Sequence, residues 1–155
     1  MKTSSPLVCW ILAVVTSGLY CFYWLQNRSS TINELTGNND FNGGKMAEQI
    51  LVVLLILIFI FALGLFYDPN HNRNNEHGET IFGIFLIILL PLMILYFVLI
   101  IRAFFKVGEV IKNIQISKKS TDRCSRTLSW FLLFVAYFNI PYLQSHLNGL
   151  IENVE

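Results

Sequence analysis

The sequence predicts an all-α protein: a four-segment transmembrane helical bundle, its first and last segments interrupted and an amphipathic helix extending the third. Three observations carry this. Hydrophobic residues make up 54% of the 155 positions and charged residues 14%, where a soluble domain runs at about 45–50% and about 25%. A chain this small has too much surface for its volume to keep so many apolar side chains from water. The apolar residues are gathered into uncharged runs, without the polar face that a half-wet soluble helix needs. Seven of the 11 Lys and Arg fall between the third run and the fourth, the kind of asymmetry that orients a membrane protein. The same figures exclude other classes. Apolar content is too high for intrinsic disorder, three Cys are too few for a disulfide scaffold, and a net charge of +1 does not suit a nucleic-acid binder. The expectation is a single membrane domain over residues 1–155.

The first segment, residues 6–25, is uncharged and long enough to cross the hydrocarbon core, but Thr16, Ser17 and Gly18 interrupt its middle. Such a segment either spans as a broken helix, its freed backbone groups satisfied inside a bundle, or dips in and returns. Spanning is the expectation. A cleaved signal peptide is the rival reading, with Lys2 as its basic start; against it, Leu19 to Leu25 stays apolar and aromatic past any cut near Ser17. In the loop that follows, Thr31 and Glu34 have the spacing of a capping box opening a turn or two of helix that Gly37 ends. Asn38 to Gly44 is turn-rich.

The second and third segments, 50–67 and 81–101, are uncharged runs of 18 and 21 residues and read as spanning helices. Pro91 falls near the middle of the third, where a kink is expected. Between them Asp68, His71, Glu76, His77 and Glu79 gather in a short loop. His and carboxylates suit zinc or nickel, but the spacing matches no known site and the loop's Asn residues build solvated turns, so a polar connector is expected.

The basic loop, 102–127, carries Arg102, Lys106, Lys112, Lys118, Lys119, Arg123 and Arg126. Val107, Val110, Ile111 and Ile114 recur there at helical spacing. The expected form is a continuation of the third helix lying on the headgroups, its cations meeting anionic lipid. The fourth segment, 128–147, holds Asn139, Pro141, Gln144, Ser145 and His146 in its second half and is expected to span with a break. Positive loops stay cytoplasmic, so four passes place both termini outside. If the two end segments turn back instead, the termini move inside and the middle spans keep their orientation. Trp24, Tyr67, Trp130 and Tyr142 fall near segment ends, where headgroup anchors sit.

Ser5, Cys9, Ala13, Ser17 and Cys21 recur every fourth residue, a strip of small side chains of the kind that lets helices approach closely in lipid. Across the bundle, Thr16, Tyr20, Asn139 and Gln144 are expected to hydrogen-bond between the first and last segments, at roughly 0.6 kcal/mol per contact. The two segments also echo each other. Ser17-Gly18-Leu19-Tyr20 and Asn139-Ile140-Pro141-Tyr142 both break an apolar helix before a Tyr.

Thr16-Ser17-Gly18-Leu19-Tyr20, then Tyr23-Trp24-Leu25 and Asn33, resemble the opening of the domain-of-unknown-function 4234 family of small prokaryotic membrane proteins. The closing Tyr142-Leu143-Gln144-Ser145-His146-Leu147-Asn148 is similar to that family's Tyr-x-Gln-x-x-x-Asn ending. The resemblance covers roughly the first 35 and the last 20 residues. It implies a prokaryotic inner-membrane location and singles out Thr16, Gly18, Tyr20, Trp24, Asn33, Gln144 and Asn148.

No Asp, Glu, Lys or Arg interrupts the apolar runs, which removes the usual signature of proton relays and ion-coupled carriers. No hydrolase, phosphate-loop, dinucleotide or zinc-protease motif is present. The expectation is a non-enzymatic small subunit or scaffold of a membrane complex, with no catalytic residue, metal or cofactor. Its partners would be the bilayer, anionic headgroups at the basic loop, and a membrane protein or a second copy of the chain. The alternative is a small channel or carrier whose site lies at the broken helices.

Overall fold

The computed structural model describes residues 3–37, 41–66, 77–120, 123–135 and 137–152. Every regular element among them is helical: α1 (Pro6–Val15), α2 (Leu19–Thr36), α3 (Gly43–Phe66), α4 (His77–Ser117), α5 (Arg126–Phe131), a single 3-10 turn (Leu132–Phe134) and α6 (Asn139–Glu152). The chain divides into two compact units. Unit 1 is Met1–Glu48 with Ile101–Glu155, and unit 2 is Gln49–Ile100.

All four apolar segments are present, and the first and last are interrupted. In the first, Pro6 opens α1 with its fixed φ and missing N–H. The helix closes where Gly18 N–H donates to Ala13 O at 2.8 Å and Ser17 N–H to Val14 O at 3.0 Å. That pair of bonds is a Schellman stop. It forces Ser17 to φ 50° and Gly18 to φ 90°, and α2 then restarts with Thr16 Oγ1 accepting from Tyr20 N–H at 2.9 Å.

The break reverses the chain, so the first segment is not one spanning helix. Arg28 Nη2 donates to Ser4 Oγ, and Tyr20 O–H donates to Cys9 Sγ at 3.5 Å. An uninterrupted helix would hold Ser4 and Arg28 about 36 Å apart, so α1 and α2 form a hairpin. The last segment does the same. Ser125 N–H donates to Tyr142 Oη at 2.7 Å, where a straight helix would separate the two by about 25 Å. The reversal there uses the 3-10 turn and Tyr137 at φ 60°. Each end segment therefore folds back on itself as a hairpin.

The capping box at Thr31 does not form. α2 runs without interruption through Thr31, because its buried stripe of Cys21, Trp24, Leu25, Arg28, Ile32 and Leu35 continues across that position. Gly37 ends the helix at φ 71°, as expected. Asn38, Asn39 and Asp40 lie outside the described residues; α3 begins at Gly43, within the stretch expected to be turns.

In unit 1, α6 is the central element, packed against α1, α2 and α5. Its Ile140, Leu143, Leu147 and Leu150 meet a core that also holds Trp24, Ile32, Phe104 and Ile111. The basic loop begins as an extension of α4, as expected, but its apolar face is not laid on headgroups. Val107, Ile111 and Ile114 are buried within the unit, and Ser129 Oγ donates to Phe104 O at 2.9 Å. Gly108 admits this approach, since a Cβ there would collide with Ser129 Oγ. In unit 2, α3 and α4 are the two described helices long and apolar enough to cross a membrane. α4 continues through Pro91 unbroken, and Gly64 lets the Phe85 ring sit against α3.

Candidate functional site: a polar chain tying the hairpins

A run of polar contacts, buried at Trp24 and Gln144 and half-buried beyond them, joins α2 and α6 to the residues just before α1. Trp24 Nε1–H donates to Gln144 Oε1 at 2.9 Å. Gln144 Nε2 donates to Asn148 Oδ1 at 2.6 Å, one helical turn on, where i and i+4 side chains meet. Asn148 Nδ2 donates to Ser4 O at 2.7 Å, and Ser4 Oγ receives the Arg28 guanidinium. Trp24 and Gln144 are fully buried, where a polar group without a partner costs about 1–3 kcal/mol. The chain of bonds removes that cost by pairing each group with the next.

A second cluster sits where α4 meets the start of α5. Buried Gln115 accepts from Cys124 N–H at 2.5 Å and holds Nε2 at 3.2 Å from His146 Nδ1. The Tyr142 ring packs edge-on to His146, centroids 4.7 Å apart. A third bracket fixes the loop before α3. Asn33 Nδ2 donates to Phe41 O at 2.9 Å, Asn33 Oδ1 accepts from Phe41 N–H at 3.1 Å, and Ser29 Oγ donates to the same carbonyl at 3.0 Å. Asn33→Ala removes both amide bonds and is expected to cost about 1–2 kcal/mol. Limited proteolysis in detergent checks this; cleavage before α3 should accelerate several-fold, and an unchanged rate would dismiss the bracket.

Of the four groups expected to bond across the bundle, Gln144 alone reaches the opposite segment. Its partner is Trp24, which is a buried donor and not a headgroup anchor. Thr16 serves its own break, donating to Leu12 O and capping α2. Tyr20 bonds Cys9 within the same hairpin. Asn139 is fully buried at the first residue of α6, and its amide makes no hydrogen bond among the described residues. The small-residue strip is interrupted. Cys9, Ala13 and Cys21 are buried, while Ser5, ahead of α1, is exposed, and Ser17 is exposed where the break turns the face that a continuous helix would keep.

Arg102, Lys106, Lys118, Lys119, Arg123 and Arg126 are exposed, and Lys112 is half-buried. Lys106 pairs with Glu109 at 3.2 Å, and the Arg126 guanidinium lies 5.3 Å from the centre of the Phe105 ring. Asp68, His71 and Glu76 lie outside the described residues, as do the side chains of His77 and Glu79. Tyr67 and the Trp130 side chain lie outside them too. A cleft of about 440 Å³ opens between α2 and α4, lined by Thr36, Phe41, Lys106, Asn113 and Ser117 among others. It brings the Lys106 ammonium, paired with Glu109, beside neutral amide and hydroxyl groups.

Sequence reasoning missed Ser4, Arg28, Gln115 and Ser129. Each is an ordinary polar residue whose role depends on a partner far along the chain. A family model described as Domain of unknown function (DUF4234) matches residues 4–113. The matched span ends before Gln144 and Asn148. Neither a curated protein nor a solved structure matches the chain.

Proposed function

The chain belongs to the DUF4234 family, and from that premise we propose that it is a non-enzymatic integral membrane protein, a small subunit or scaffold of a membrane complex. In this reading α3 and α4 cross the bilayer and the two hairpins enter it part-way. The observation that carries it is the return of both end segments, which leaves two helices able to span.

Three facts support the reading. Phe59 and Ile87 are 64% and 71% exposed within uncharged apolar stretches of α3 and α4, a surface at home in hydrocarbon and costly in water. In unit 1 Trp24, Gln144, Asn148, Ser4 and Arg28 are bonded in series, the internal pairing that polar groups at membrane depth require; they form a fastening and not a reacting set. Charge then orients the whole. Ten of the 11 Lys and Arg lie outside residues 49–100, Arg73 being the exception, so the termini and the basic loop are cytoplasmic. Four passes would have put Lys2 on the far side. A prokaryotic inner membrane is the proposed location.

Reporter fusions test the topology. Alkaline phosphatase fused after Glu155 or before Met1 should be silent and fluorescent protein bright at both ends, while phosphatase inserted at Asn74 should be active. Phosphatase activity at either terminus would overturn the two-span reading, and specific solute flux through the purified protein alone would overturn the scaffold.

A further inference from the structure

We propose that the two hairpins of unit 1 act together as a wedge in the leaflet on the basic side of the membrane and favour its outward curvature. The inference rests on the membrane reading above and names the surface it acts on: the acyl chains of one leaflet beneath anionic headgroups.

Length limits the depth. α1 has 10 residues and is about 15 Å long. α5 with its 3-10 turn, Arg126–Phe134, is also about 15 Å long. The hydrocarbon core is about 30 Å thick, so these shorter, apolar arms reach about the depth of one leaflet. The reversals carry the apolar surface: Val15 is 76% exposed, Leu19 55% and Phe134 56%. The two reversals are also fastened together. The Tyr137 ring packs on Gly18, and Trp10 stacks on Phe138 with centroids 5.2 Å apart. They therefore enter as one body. Away from the reversals the chain turns polar, with Ser4, Arg28 and Asn148 bonded together. Exposed Lys118, Lys119 and Arg123 in the same unit suit anionic headgroups.

Volume added to one leaflet alone expands it against the other, so the loaded leaflet becomes convex. Shallow apolar insertion of this kind is curvature-sensitive.

The test reconstitutes the full chain, tagged at its C-terminus, into phosphatidylcholine–phosphatidylglycerol vesicles of about 30 nm and about 300 nm diameter, a range over which shallow insertion responds to curvature. Protein density per lipid, counted for molecules with the tag outward, is expected to be several-fold higher on the small vesicles. Val15→Ser, Leu19→Ser and Phe134→Ser together should abolish that preference while the protein still resists carbonate extraction. Equal densities for the wild type, or a preference undiminished in the triple variant, would overturn the wedge. Release of the wild type by carbonate would overturn the membrane reading and the wedge with it; retention with equal densities overturns the wedge alone.

Discussion

Gly18→Ala should lower the thermal unfolding midpoint in detergent more than Gly37→Ala does. Both glycines have positive φ, 90° and 71°, and a side chain in that region costs about 1–2 kcal/mol at either position. The surroundings differ. A Cβ on Gly18 would lie 2.7 Å from Tyr137 Cε1, whereas nothing lies within 4 Å of one on Gly37. Overpacking of this sort adds about 1–3 kcal/mol, so Gly18→Ala is expected to lose about 3 kcal/mol in all. Adding Tyr137→Ala to Gly18→Ala should recover the contact part and leave the backbone part. Equal losses for the two glycine variants would show that the hairpin reversals do not touch.

Gln144→Leu keeps the side-chain volume and removes both of the residue's hydrogen bonds. Trp24 is 1% exposed, so its indole N–H is left without an acceptor and cannot reach water. Interhelical bonds in lipid average about 0.6 kcal/mol because the separated helices find other partners. A buried unsatisfied donor costs about 1–3 kcal/mol, and that larger value applies because Trp24 sits inside packed protein. Gln144→Leu is thus expected to destabilise by about 2 kcal/mol. Trp24→Phe on that background should cost less than it does alone, since the orphaned donor is gone. Strict additivity of the two substitutions, measured as unfolding midpoints, would dissolve the pairing.

How far the site could be read from the chain depends on the range of each interaction. The break at Thr16-Ser17-Gly18 was legible because positive φ is a local preference, and so was the continuation of the third helix, because apolar spacing repeats within a few residues. The Trp24–Gln144 bond joins positions 120 residues apart. Nothing near Trp24 distinguishes a buried donor from a headgroup anchor, so that residue was misplaced. Thr31 fails for a related reason: a capping box scores a few neighbours, while the buried face of α2, Cys21 to Leu35, extends over about four turns.

By itself, the sequence determined that the protein is all-helical, which stretches are apolar, where the helices break and where the cations gather. Those properties follow from side-chain hydropathy and backbone torsion, each decided within a turn or two. Only the tertiary structure decided that the end segments return. A break states where the chain may bend but not through what angle, and the angle is held by bonds such as Arg28 to Ser4 and Tyr142 to Ser125. Partners of that kind meet only once the helices have packed.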